Sequence, residues 1–431
     1  MQRARSRWRA YAAACAIAAV CGITAGCTGG GGASAGASQS TSPARPASTD
    51  SPAGAAAPGV TGAASPAGGQ PTERPANAPT TASPASACVT QVLGNLTLAQ
   101  RVGQLFVVGV DGNIAGPQLT AAEHTYHFGS LLLNKTGVGT AALAAQTAAM
   151  QELASSGTGG VRFFIAANQE GGQIQQLSGP GFAAMPSELV QGSWSLSTLR
   201  TRATNWGTDL RAAGVNLDLA PVMDVVPQGT AAGNAPIGAL DREFGFDPEI
   251  NGQHGTAFIQ GMAAAGVMSV AKHFPGLGRV AGNTDFTANV VDNATTANDP
   301  YLNSFRAAVG AGVPMVMVAL ATYTKIDPAQ LAVFSPTVMR LLRNGLGFNG
   351  VIVSDDMGQA AAVQAIPAAN RAVGFLTAGG DLVTSQSLAP AEQMAAGVLA
   401  KASGSAAFRA TVDAAARQVL AAKKAAGLLP C

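Results

Sequence analysis

Eight short apolar runs, separated by alanine-rich stretches, dominate the chain between residues 88 and 431. They are Leu105–Val110, Ser130–Asn134, Arg162–Asn168, Val215–Ala220, Val267–His273, Pro314–Leu320, Gly350–Asp355 and Asp381–Thr384. Continuously apolar strands that alternate with helices belong to a parallel sheet covered on both faces. A strand with one wet face would instead alternate apolar with polar residues. Eight such units in about 344 residues predict an α/β fold, a single (β/α)8 TIM-type barrel over residues 88–431. An open doubly wound sheet is the alternative, but no G-x-G-x-x-G turn follows the first run.

The polar residues sharpen this. Only 11% of the chain is charged, yet several runs end in functional side chains: Asn168-Gln169-Glu170, Asp218 followed by Asp224, Lys272-His273 and Asp355-Asp356. In a barrel the carboxyl ends of the strands share one mouth, where sites are built. Convergence there explains these charges together. Helix capping explains Asp356 but fits Lys272 and His273 poorly.

The first 87 residues are of a different kind. Arg3, Arg5, Arg7 and Arg9 precede an apolar stretch from Ala10 to Ile23 and then Thr24-Ala25-Gly26-Cys27. A basic flank, a short apolar segment and small residues read as a signal peptide over residues 1–26. Cys27 after Ala-Gly resembles the lipidated cysteine of a bacterial lipobox, although Thr24 stands where leucine is usual. The competing reading is an ordinary signal peptide with an incidental cysteine. Residues 28–87 are almost wholly Gly, Ala, Ser, Thr and Pro, with Val60 the one large aliphatic residue. Such a stretch cannot bury enough apolar surface to offset the entropy of ordering. The expectation is a disordered tether over residues 27–87, spanning roughly 40–45 Å as a flexible coil. The chain is then exported and lipid-anchored on the extracytoplasmic face of the cell membrane, the membrane being a partner through that anchor.

Loss of the signal peptide removes four arginines and no acid. The net charge falls from +2 to −2, with 21 basic residues against 23 acidic. That balance excludes a nucleic-acid partner, which would require a strong basic excess. Cys15 and Cys21 leave with the signal, and Cys88 and Cys431 remain. In an exported protein they read most simply as a disulfide fastening the two ends of the domain; two free thiols are the alternative. The four histidines, His124, His127, His254 and His273, form no cluster with metal-ligand spacing, so no metal and no cofactor are expected.

Several segments together resemble one family. Leu96-Thr97-Leu98-Ala99-Gln100-Arg101-Val102-Gly103-Gln104-Leu105 looks like the opening helix of the family 3 glycoside hydrolases. Asn168-Gln169-Glu170-Gly171-Gly172-Gln173 is similar to that family's D-Q-E-G-G-R. There follow in order Asn216–Asp224, Asp241-Arg242-Glu243-Phe244-Gly245, Lys272-His273-Phe274-Pro275-Gly276, Val353-Ser354-Asp355-Asp356-Met357 and Ala378–Val383. The resemblance covers the whole folded region. It is greatest to the single-barrel β-N-acetylhexosaminidases, the NagZ type, including lipoprotein members of actinobacteria.

The resemblance implies a retaining glycosidase that releases terminal β-N-acetylglucosamine-type sugars from peptidoglycan-derived glycans. Such enzymes use a carboxylate nucleophile and a second group that protonates the leaving oxygen. Asp355 matches the nucleophile. Lys272, His273 and Arg242 match residues that hold sugar hydroxyls, and Asn168 stands where the family has a sugar-binding Asp. The NagZ type carries a D-S-H acid/base loop; here that slot reads Asn283-Thr284-Asp285 and no histidine is near. One reading makes Asp285 the acid/base, with Phe286 as apolar cover. A second shifts the register so that Thr287 takes the slot, and a third leaves a catalytically impaired glycan binder. A family 3 hydrolase with another β-glycoside specificity is a further alternative. A carboxylate at 285 also disfavours phosphate as acceptor, so hydrolysis is expected over phosphorolysis. Aromatic residues are only 5% of the chain, which favours a small pocket for one terminal sugar, on a monomer.

Overall fold

The computed structural model describes residues 84–110 and 116–431. The expected signal peptide, Cys27 and the expected tether up to residue 83 lie outside the described residues. The first helix, Pro84–Asn95, begins four residues before Cys88, so residues 84–87 are helical where the sequence reading placed tether.

Eight parallel strands close into a barrel: β1 (Phe106–Val110), β2 (Ser130–Leu133), β3 (Phe164–Ala167), β4 (Leu217–Asp218), β5 (Met268–Phe274), β6 (Met315–Val318), β7 (Val351–Asp356) and β8 (Leu382–Ser385). Each pairs with its sequence neighbours, and Phe106 against Val383 closes the ring between β1 and β8. Every strand lies within one of the eight apolar runs or extends it by one residue. β4 is two residues long, and backbone bonds to its neighbours continue beyond it, from Leu219 N to Ala167 O at 2.8 Å and from Val270 N to Ala220 O at 2.9 Å.

Helices return the chain between strands, and local chemistry sets where they start. Ser195 accepts a hydrogen bond from Thr198 N at 3.2 Å to open the helix Leu196–Ala212. Asp247 accepts from Glu249 N and Ile250 N at 2.9 and 3.0 Å to open Pro248–Ala264, with proline in the first turn. Each such cap contributes about 1 kcal/mol. Phe106, Phe164, Val270, Met315 and Ile352 lie in the large buried cluster of barrel and outer-helix residues. Phe163, Ile165, Leu199, Leu210 and Phe258 form a second, between the barrel and the helices at 196–212 and 248–264. Removing one such ring, as in Phe164→Ala, would cost about 3–5 kcal/mol.

Cys88 and Cys431 are joined by a disulfide with 6.0 Å between Cα atoms, tying the first helix to the chain's last residue. Among the described residues, no helix is long and apolar enough to cross a membrane.

Candidate active site

The carboxyl ends of the strands surround a cavity of about 240 Å³, lined by Asn168, Glu170, Arg242, Lys272, His273, Asp285, Asp355 and Asp356, among others. It is smaller than the roughly 300–1,000 Å³ of drug-sized sites, so it suits a small ligand.

The cations are placed by one buried carboxylate. Glu170, just past β3, receives Arg242 Nε at 2.8 Å on Oε2, Arg242 Nη2 at 2.8 Å on Oε1, and Lys272 Nζ at 2.6 Å on Oε1. Burial opposes its charge, but Arg242 and Lys272 outweigh that and hold its pKa at about 2. The glycines after it are required by close approach. A Cβ on Gly171 would stand 2.1 Å from Pro186 O, and its φ is +111°. Arg242 is further fixed by donating to Pro236 O at 2.8 Å.

Two more carboxyls lie behind this group. Glu188 accepts from Val222 N at 3.1 Å, and Asp218 from Gln169 N at 3.0 Å. Burial raises both well above the usual carboxylate range; Glu170 adds to the rise at each. Glu188 was not singled out from sequence. It sits in a short helix, Glu188–Gln191, with no apolar run to mark it.

His273 is set by Asp224, which accepts from His273 Nδ1 at 2.7 Å, His273 N at 3.1 Å and Leu277 N at 2.8 Å. Asp224 thus fixes the proton on Nδ1 and leaves Nε2 for other contacts. The loop beyond β5 is held by Asn234, whose Nδ2 donates to Leu277 O and Val280 O at 2.7 Å each. Gly278 is needed there, since its Cβ would stand 1.9 Å from Val225 O.

Asp355 and Asp356 end β7 and differ in role. Asp356 is buried and accepts from Gly358 N, Gln359 N and Gln386 N at 2.9–3.0 Å, so it organises the turn and caps no helix. Asp355 is only partly buried, faces the cavity, and accepts from Asp356 N at 2.8 Å.

Asp285 lines the same cavity. Its turn is tied to the loop after β7: Ala361 N donates to Asp285 O at 3.0 Å and Ala362 N to Thr284 O at 3.1 Å. Asp285 is therefore carried by a loop bonded to the one that follows Asp355's strand. Protein crowding first, and then the Asp355 charge, raise the Asp285 pKa to about 6; Arg242 and His273 oppose the rise. The residue is open to solvent on its outer side, so water moderates the crowding, while both leading causes act upward. Thr287 is not among the lining residues. Phe286 lines the cavity but is 79% exposed, so it covers Asp285 little.

Two carboxyls lining one small donor-rich cavity, the Asp285 carboxyl raised by burial and by the Asp355 charge, suit the hydrolysis of an acetal. Fold and site together define a barrel glycosidase. The comparisons carry this to a family. A model described as the glycosyl hydrolase family 3 N terminal domain matches residues 97–422. The chain is 32% identical over 291 residues to the beta-hexosaminidase of Xanthomonas campestris pv. campestris strain B100, covering 63% of this chain and 82% of that protein. The solved β-N-acetylhexosaminidase from Beutenbergia cavernae DSM 12333 is similar at TM-score 0.74 and 47% identity, over 76% of this chain and 99% of that one. A family 3 β-N-acetylglucosaminidase from Paenibacillus sp. str. FPU-7 gives TM-score 0.69 at 28% identity, over 77% of this chain and 63% of that one. The chain belongs to glycoside hydrolase family 3 and is a glycosidase.

Proposed function

We propose that this chain is a retaining β-N-acetylhexosaminidase, with Asp355 as nucleophile and Asp285 as acid/base. The observation that carries the reading is that Asp285 lines the cavity beside Asp355 and is held at about 6. A carboxyl at that value is protonated often enough near neutrality to serve as an acid. In the first step Asp355 attacks the anomeric carbon. The glycosidic C–O bond breaks, and Asp285 gives its proton to the leaving oxygen. Asp285 then takes a proton from water as that water attacks the anomeric carbon. The ester to Asp355 is released, and the two inversions retain configuration. Lys272, Arg242 and His273 hold the sugar, and Asn168 completes that wall. A carboxylate at 285 repels a phosphate anion, which favours water as acceptor.

The resemblance to a β-N-acetylhexosaminidase and to a family 3 β-N-acetylglucosaminidase supports an N-acetylglucosaminide as substrate. The substrate class we infer is the terminal N-acetylglucosamine of peptidoglycan-derived fragments, reached by an exported monomer anchored through lipid on Cys27. The sequence of residues 1–87 supports that placement. Intact-mass analysis of the membrane-extracted protein checks the anchor: a mature chain beginning at an acylated Cys27 agrees, and an unmodified Cys27 contradicts it.

The activity test is hydrolysis of a β-linked N-acetylglucosaminyl disaccharide, followed by proton NMR of the first sugar released. The β-anomer appears first if the enzyme retains. Release of the α-anomer first, or no hydrolysis beyond background, overturns the reading.

A further inference from the structure

We propose that Asn168 sets sugar specificity by turning its amide oxygen onto Lys272 and its NH2 to the pocket, so that the substituent facing it must accept but need not donate. The inference rests on the hexosaminidase reading of this same cavity.

The argument is one of hydrogen-bond valence. Lys272 Nζ lies 2.9 Å from Asn168 Oδ1. An ammonium has three donors and no acceptor, so it can meet only the oxygen of a carboxamide. That contact fixes the orientation of the amide. The oxygen, the one acceptor Asn168 possesses, is turned onto Lys272. What remains is the amide NH2, on a half-buried residue that lines the cavity.

The two cations beside it do not restore an acceptor. Lys272 and Arg242 can only donate. Glu170, which could accept, is buried and already receives three bonds from those two cations. The wall formed by Asn168, Lys272 and Arg242 therefore turns chiefly protons toward the cavity, the amide oxygen being directed at Lys272. Acceptors stand elsewhere in the lining: Asp355 at the end of β7, Asp285 in the β5–β6 loop, His273 Nε2 and the Gln176 amide.

A sugar hydroxyl set against this wall uses its oxygen lone pairs, while its own proton gains no protein partner there. Replacing that hydroxyl by an ether or ester oxygen removes a donor the wall does not use. The substrate class admitted is therefore amino-sugar β-glycosides whose facing oxygen is alkylated or acylated, alongside those with the free hydroxyl. An aspartate at 168 would have the opposite preference. A carboxylate only accepts, and it bonds a hydroxyl proton with charge-assisted strength. A carboxylate left facing a group that cannot donate loses that bond and stays desolvated.

The test crosses the enzyme with the sugar. The full-length protein and Asn168→Asp are compared on aryl β-N-acetylglucosaminide and on its 3-, 4- and 6-deoxyfluoro analogues, in which fluorine removes the donor with little change in size. For at least one position, the loss in kcat/KM on fluorination should be about 3-fold or less in the native protein. It should be larger by about 10-fold or more in Asn168→Asp. The same ratios are read from binding of the free sugars, so a protein that binds without hydrolysing is still tested. Asn168→Ala removes the donor without adding an acceptor and should weaken the parent and fluorinated sugars alike. Equal fluorination losses in the native protein and Asn168→Asp at all three positions would overturn the inference, as would a larger loss in the native protein. Failure to hydrolyse the parent glycoside overturns the hexosaminidase reading instead.

Discussion

The two ends of the barrel both bury ionisable groups, and they handle them in opposite ways. At the base, Lys423 donates to Gln104 Oε1 at 2.7 Å and to Gly129 O at 2.6 Å, beside the chain's entry to β1 and β2. Burial lowers its pKa to about 7, and the Glu123 charge acts the other way. Glu123 itself is raised by burial, and neither of its oxygens has a hydrogen-bond partner. The Lys423 bonds stay within this buried cluster, which is absent from the cavity lining. At the mouth, one carboxylate, Glu170, orients two cations whose remaining protons face a cavity. A perturbed pKa alone therefore does not mark function. A perturbed group with free valence toward a cavity does.

That contrast can be broken by substitution. The largest effect belongs to the mouth. Asp355→Ala should lower kcat/KM by about 10⁴-fold or more while leaving the melting temperature nearly unchanged. A loss below about 10-fold on a disaccharide would remove Asp355 from the nucleophile role. Glu170→Gln comes next. It leaves Lys272 and Arg242 buried without their shared counter-charge, and should raise KM by about 10–100-fold and cost about 3–5 kcal/mol of stability. Sugar binding that matches the native protein would show the cations to be positioned by other contacts.

A smaller effect lies in pH. If Asp285 acts as the acid, kcat/KM for a disaccharide requires its protonated form. The rate should then fall as pH rises past about 6, approaching tenfold per unit. A flat profile from pH 6 to 8 would place the acid elsewhere.

The smallest effect belongs to the base. Lys423 is held at about 7, against an ordinary 10.5. Between those values the unfolded chain binds more protons than the folded one, so this residue makes stability rise with pH in that window. Lys423→Met should leave kcat unchanged and flatten the rise, measured as urea midpoints from pH 7 to 9. A loss of kcat in that variant would join the base to the catalytic end and dissolve the contrast.

Legibility in the sequence followed the same division. The strands could be read because parallel strands buried on both faces are continuous apolar runs, as Pro314–Leu320 around β6 shows. Lys272, His273 and Asp355 could be read because charge at the end of such a run is costly and calls for a reason. Asp224 was visible as a charge but not as the residue that fixes His273, since that bond spans 49 residues. Glu188 and Asn234 could not be read. They lie in connections without periodicity, and their partners come from distant loops. Asp356 shows a further limit, because two adjacent aspartates with opposite roles are separated only by where their oxygens point.

The most direct test of the account concerns Asp285. Native protein and Asp285→Ala are assayed on a β-linked N-acetylglucosaminyl disaccharide and on a 2,4-dinitrophenyl β-N-acetylglucosaminide, whose leaving group needs no proton. The account predicts a loss of about 10²–10⁴-fold on the disaccharide and less than about 10-fold in cleaving the aryl bond. Equal losses on both substrates, or none on the disaccharide, would contradict it.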